Sequence, residues 1–352
     1  MKRNIWIIVI IAGTLLMGCV NRKTMDYEAL IQKYPMPTPE ETEGITQEVI
    51  YDPAPDLATE KLFRYTLEIN TNANNTIDDY CVYGERMAYL INSSGEYFIY
   101  SSLINNRNDE LICKTTEVVY SITCDNERVI WATRNREDSD YKVYIYEAGG
   151  ISKIEALSGL NTISYFRIDG TKLIGCEYMG GAYVYDLDTG ELNRLGNNEN
   201  EYFLDGVESG YAIFATGASD YIQKIVCKDF RENVIYVKDF HPSGWPFVYS
   251  ANNNYISWYD GAKGKVYLES RNGITYKIDY KATSLMTTGK WLFMCRKLDG
   301  TIKVFTDEYP DLMWEMEIKD GVGSFCRGAI GQVYVVNQTA NNNRIITVYM
   351  MK

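Results

Sequence analysis

The sequence predicts an all-β fold, a seven-bladed β-propeller closed by an N-terminal strand that completes the last blade. Three observations point there. After residue 59 helical periodicity nearly vanishes, and short apolar stretches alternate with Gly, Asn and Asp turns. A turn followed by an apolar strand recurs seven times, at GERMAYL (84–90), NERVIWA (126–132), GTKLIGC (170–176), SGYAIFA (209–215), NNYISWY (253–259), GKWLFMC (289–295) and GQVYVVN (331–337). Finally, the last repeat lacks a strand that an early segment is suited to supply.

The repeat sets the blade number. With Met87, Val129, Leu173, Ala212, Tyr255, Trp291 and Val333 as equivalent anchors, the spacings are 42, 44, 39, 43, 36 and 42 residues, with a mean of 41. That is the length of a four-stranded propeller blade. Each anchor strand is followed by another, such as EYFIYSS or YKVYIYEA, and most repeats then add a further one, such as LICKTTEV or LMWEMEIKD. The last repeat ends at Lys352 after its third strand, whereas KLFRYTLEIN (61–70) precedes the first blade and has no blade of its own. Pairing the two removes two open sheet edges.

Within the third repeat, YVYDLDTGELNRL (183–195) carries a Tyr-Asp-x-x-Thr-Gly hairpin. This resembles bacterial extracytoplasmic propellers of the YVTN/quinoprotein-like and WD40-like kind, and the likeness in architecture spans residues 60–352. The blade-ending Trp-Asp dipeptide and the Gly-His pair of those families are missing. So are the tryptophan-docking repeat of quinone-binding enzymes and the Asp-box of sialidases. No catalytic residue carries over.

The N-terminus reads as an export signal. Lys2 and Arg3 precede an apolar stretch from Ile5 to Met17, shorter than the roughly 20 residues of a membrane-spanning helix. Leu16-Met17-Gly18-Cys19 resembles the bacterial lipobox. The resemblance implies a lipoprotein, with residues 1–18 a cleaved signal peptide and Cys19 acylated with diacylglyceryl and palmitate chains. Two chains or more give stable anchoring. Residues 19–58 read as an extended linker, since five of the chain's eight prolines fall there. The propeller is expected over 59–352. Val20 is not the Asp that retains lipoproteins at an inner membrane, so the expected location is extracytoplasmic, on the cell membrane or, in a two-membrane cell, the outer membrane.

Charge narrows the partners. The formal net charge is −12, and −14 once Lys2 and Arg3 leave with the signal. This argues against nucleic acid, whose binding requires basic surface, and against docking on anionic lipid through a basic patch. Seven cysteines follow Cys19, with no CxxC and no Cys/His cluster, so no metal or cofactor is expected. Most lie in apolar strands as small hydrophobes. A Cys81–Cys113 disulfide is an open alternative.

Candidate binding residues are few. His241, the only histidine, lies with Trp245 in DFHPSGWPF (239–247), between blades four and five. With Tyr249 they would form a recognition patch, or else Trp245 plugs the gap between blades. Six residues before each anchor stand Cys81, Thr123, Arg167, Gly206, Tyr249, Leu285 and Arg327. Arg167 and Arg327 would either hold an anionic group at the channel mouth or pair with inner-strand carboxylates such as Asp79 or Asp205. Asp186-Leu187-Asp188-Thr189-Gly190 reads as a hairpin turn, because it lacks the remaining ligands of a calcium loop. Nothing gives a positive sign of catalysis. The expectation is a monomeric binding or scaffold module for a protein, peptide or glycan. The alternative is a carbohydrate-active hydrolase or lyase using carboxylates at the channel mouth.

Overall fold

The anchor strands are apolar at almost every position, and such strands must be buried on both faces. The chain achieves this in the computed structural model with seven antiparallel sheets arranged as a ring. The structure describes Thr46–Val49, Leu62–Ile69 and residues 75–351 apart from short interstrand segments, of which 196–202, 241–247 and 318–324 are the longest. The signal segment, Cys19 and most of the expected linker lie outside the described residues.

Two strands, β1 (Thr46–Val49) and β2 (Leu62–Ile69), precede the first blade. Blade one is β3 (Asn75–Tyr83), β4 (Arg86–Ser93), β5 (Glu96–Leu103) and β6 (Glu110–Thr115). Blade two is β7 (Val118–Cys124), β8 (Arg128–Arg134), β9 (Tyr141–Glu147) and β10 (Gly150–Lys153). Blade three is β11 (Ile163–Asp169), β12 (Lys172–Glu177), β13 (Ala182–Asp186) and β14 (Leu192–Leu195). Blade four is β15 (Phe203–Glu208), β16 (Tyr211–Ala218), β17 (Tyr221–Asp229) and β18 (Val234–Asp239). Blade five is β19 (Tyr249–Ala251), β20 (Tyr255–Asp260), β21 (Lys265–Ser270) and β22 (Thr275–Ile278). Blade six is β23 (Ser284–Thr288), β24 (Trp291–Arg296), β25 (Thr301–Phe305) and β26 (Met313–Glu317). Blade seven is β27 (Cys326–Arg327), β28 (Gln332–Gln338) and β29 (Arg344–Met351), completed by β2.

The expected closure is present. β2 pairs antiparallel with β29 along its whole length, from Leu62 opposite Met351 to Ile69 opposite Arg344. The core has the matching form, since a separate apolar cluster fills each of the seven junctions between neighbouring blades. The junction between blades seven and one is among them, where Ile69 and Ile346 meet Ile77, Val82 and Met87. A single strand serves two clusters. On β8, Val129 and Trp131 face blade one while Ile130 and Ala132 face blade three.

One strand departs from the expected organisation. Thr46–Val49, inside the segment read as linker, pairs in parallel with the outer strand of blade five. Four residues without an apolar run give no strand signal of their own, but an exposed sheet edge supplies unpaired N–H and C=O groups to any extended chain beside it.

Candidate functional site

The positions six residues before the anchors all fall on the innermost strands, β3, β7, β11, β15, β19, β23 and β27. They are the natural place to look for a ligand site on the ring axis. The first strands of blades one to four each carry a register shift, at Ile77/Asp79, Val119/Ser121, Ile163/Tyr165 and Leu204/Gly206. Such bulges bend the strand and turn backbone groups away from their own sheet.

In bulged and regular blades alike, N–H groups along the inner strands are taken by the preceding blade. The Ile122 N–H donates to Asp79 Oδ2 at 2.8 Å, and that of Phe166 donates to Ser121 Oγ at 3.1 Å. Thr287 and Phe325 donate in the same way to Ser250 and Ser284, at 2.9 and 3.1 Å. The acceptors thus recur with the repeat, one blade behind the donor.

A second set of bonds binds the hairpin turns that join the first and second strands of each blade. Glu85 N–H donates to Asn126 Oδ1 at 3.2 Å, Arg128 Nη2 to the Gly170 carbonyl at 3.1 Å, and Gly210 N–H to Asp169 Oδ2 at 2.5 Å. Asn252 Nδ2 donates both to Glu208 Oε1 at 3.1 Å and to the Gly289 carbonyl at 2.8 Å. Gly331 N–H donates to Thr288 Oγ1 at 3.0 Å. Gln332 closes the circle by accepting from the Gly84 N–H and donating to the Gly84 carbonyl, both at 2.8 Å. Gly84 sits in that turn with φ of +58°, a conformation glycine adopts without penalty. Every blade junction therefore carries a polar tie on this one face.

Arg327 does something different. From blade seven its Nη2 donates to the Ala251 carbonyl of blade five at 2.8 Å, and its Nε lies 3.9 Å from Glu208 Oε2 of blade four. Neither blade is its neighbour, so the side chain spans the central channel. Gly206 makes this possible, because a Cβ there would lie 2.7 Å from Arg327 Nη1. The Glu208 side chain is only 4% exposed, and its Oε1 also accepts the Gly289 N–H at 2.5 Å. Arg327 and Glu208 with Asn252 form a strut linking blades four, five, six and seven.

Arg327 thus meets a carboxylate, that of Glu208, and the Asp205 side chain lies outside the described residues. Asp79 is occupied by blade two, and the guanidinium points across the axis, not sideways. Arg167 packs over the Tyr165 ring at 4.8 Å and donates to the Phe166 carbonyl at 3.1 Å. Tyr249 packs against the apolar cluster between blades four and five. His241 and Trp245 lie outside the described residues. The Asp186 turn is a hairpin, in which Asp186 Oδ1 accepts from the Asp188 and Thr189 N–H groups at 3.0 and 3.4 Å and Oδ2 pairs with Lys172. The Lys172 ammonium, with these turn amides, holds the Asp186 carboxyl down at about 2. Among the described residues no group of three or more His, Cys, Asp or Glu side chains could hold a metal.

Away from the axis, a groove of about 630 Å³ runs between the outer parts of blades one and two, lined by Cys113, Lys114, Glu117, Tyr144 and Ile151 among others. Glu117 accepts from Lys142 Nζ and Thr133 Oγ1, both at 2.5 Å. Burial raises its carboxyl, but these two donors outweigh it and leave the group below the ordinary range.

The fold recurs in solved structures at low identity. The β-propeller domain of the Trilobed protease from Pyrococcus furiosus, described as having an open velcro topology, is 12% identical, with a TM-score of 0.54 over 78% of this chain and 95% of that one. A chain of the mitotic checkpoint complex is 11% identical, with a TM-score of 0.51 over 80% of this chain and 92% of its own. Streptogramin B lyase is 9% identical, with a TM-score of 0.50 over 84% of this chain and 99% of its own. No family model matches the sequence, and no curated protein matches it. These likenesses establish a β-propeller architecture and leave function to the site itself.

Proposed function

We propose that this chain is a lipid-anchored, extracytoplasmic β-propeller that acts as a rigid binding or scaffold module for a protein, peptide or glycan at the cell surface. Residues 1–18 would be the export signal, Cys19 the lipid attachment, and 19–58 a tether leading into the ring. The observation that carries the binding reading is the use made of the polar groups around the axis. Of the inner-strand carboxylates whose side chains are described, Asp78 accepts from Thr76 and Asn92, Asp79 from Ile122, Asp169 from Gly210, and Glu208 from Gly289 and Asn252. Asp78 is held within blade one, while the other three tie one blade to another, and side chains so committed suit a preorganised platform, which binds at little cost in ordering. An enzyme of the carbohydrate-active kind would instead need two carboxyl groups left for chemistry.

Recognition would then fall to the loops that connect an outer strand to the next blade, where His241 and Trp245 stand. Aromatic side chains there would supply contact area at low entropic cost. The test has two arms. Metabolic labelling with palmitate should mark the full chain and fail on Cys19→Ala, which should also leave the membrane fraction. Detergent-solubilised full chain should then be screened against a glycan array and surface proteins of the source cell. Saturable binding that Trp245→Ala weakens supports the module. Hydrolysis or eliminative cleavage of a glycan without such binding would support the enzyme.

A further inference from the structure

Two cysteines of the ring meet. Cys81 on β3 and Cys124 at the end of β7 come from the innermost strands of neighbouring blades. The Cys124 N–H donates to Cys81 Sγ at 3.3 Å, and the Cys124 thiol donates to the Cys81 carbonyl at 3.6 Å. The Cys81 sulfur also lies 3.9 Å from the Cys124 carbonyl and 3.8 Å from Thr123 Oγ1. By contrast, Cys176, Cys227, Cys295 and Cys326 each sit in a different junction between blades.

The partners are chemically unequal. Cys81 is half-buried at one of the seven axis-lining positions, while Cys124 is fully buried. The hydrogen bond from Cys124 holds the Cys81 thiol below its ordinary value against the opposing effect of burial, helped by the Cys124 N–H and the charge of Arg167. Burial, reinforced by Cys81, pushes the Cys124 thiol well up. A half-buried thiol with the lower pKa beside a fully buried thiol with the higher one is the arrangement of an attacking and a resolving cysteine.

We propose that Cys81 and Cys124 are a redox-active pair that closes into a disulfide joining blades one and two when a small aliphatic disulfide reaches Cys81. The Cys81 thiolate attacks one sulfur of the reagent, forming a mixed disulfide and releasing one thiolate. Cys124 then loses its proton to that thiolate or to water, attacks the Cys81 sulfur and expels the second thiolate. The two protein thiols are oxidised, and one reagent disulfide is reduced to two thiols. The product staples the innermost strands at the level where the turn bonds already tie the blades.

The experiment uses the full chain, reduced and then held without oxygen at pH 8 with excess 2-hydroxyethyl disulfide. After an acid quench, remaining thiols are alkylated with N-ethylmaleimide in denaturant and mapped by mass spectrometry. The expected result is loss of two maleimide sites and a linked Cys81–Cys124 peptide, with Cys113 still alkylated. Cys124→Ser should stop at a mercaptoethanol adduct on Cys81, while Cys81→Ser should leave Cys124 reduced. Maleimide on both Cys81 and Cys124 of the treated wild-type chain, or Cys81 linked to any other cysteine, overturns the proposal without recourse to the variants.

Discussion

Replacing Gly206 by Ala adds one methyl group, and the structure says what it will hit. The new carbon would stand 2.7 Å from Arg327 Nη1, well inside contact distance, so the guanidinium must leave its path across the channel. Overpacking of this kind costs about 1–3 kcal/mol. The displaced guanidinium also loses its bond to the Ala251 carbonyl and its approach to Glu208 Oε2 at 3.9 Å. At an effective dielectric of about 20, a pair at that separation is worth roughly 4 kcal/mol before desolvation is subtracted, of which we expect about 1–2 kcal/mol to survive. Gly206→Ala should therefore cost about 2–5 kcal/mol in the wild-type chain. With Arg327→Met already in place nothing occupies that space. The same change should then be neutral or stabilise by up to about 1 kcal/mol, through the lower entropy of the unfolded chain. Thermal unfolding followed by circular dichroism reads all four corners of the cycle. For a domain of this size, about 3 kcal/mol is roughly 5 °C in Tm. Equal penalties for Gly206→Ala with and without Arg327 would refute the strut across the channel.

Other expectations follow from the same geometry. Gln332→Ala should leave the N–H and C=O of Gly84 unpaired at the junction between blades seven and one, for a loss of about 2–3 kcal/mol in chemical denaturation. Gln332→Glu retains the acceptor for the Gly84 N–H but loses the donor to its carbonyl, so it should fall between wild type and Ala. Acid should weaken the fold through Asp186, Asp229 and Glu117, all held below their ordinary values. The unfolded chain binds more protons at these groups, so their contribution is complete above about pH 4–5 and disappears as pH falls toward about 2. Asp186→Asn should flatten the acid limb of a Tm-against-pH profile by lowering the neutral plateau, with little change near pH 2.

What the sequence disclosed was what repeats. The anchors, the inner positions six residues earlier and the closing segment around Thr66 could all be placed, because each blade meets the same neighbours in the same way. The strut could not. Glu208 stands four residues before its anchor, where blades two and three also carry acids, Asp125 and Asp169, so nothing in the repeat marks it as the one that meets Arg327 across the channel. Gly206 was visible as the one glycine among the axis-lining positions, a signal that another side chain needs its space. Proline density hid β1, since the pairing of Thr46–Val49 depends on an edge of blade five that is far away in sequence.

Closure of the ring by its N-terminal strand is most directly tested by hydrogen exchange of the full chain, read on peptides covering Leu62–Ile69 and Arg344–Met351. Paired strands that seal the seventh blade should be protected together and lose protection together as denaturant is added. Exchange of Leu62–Ile69 at the rate of an unstructured peptide, while Gln332–Gln338 remains protected, would contradict a ring sealed in this way.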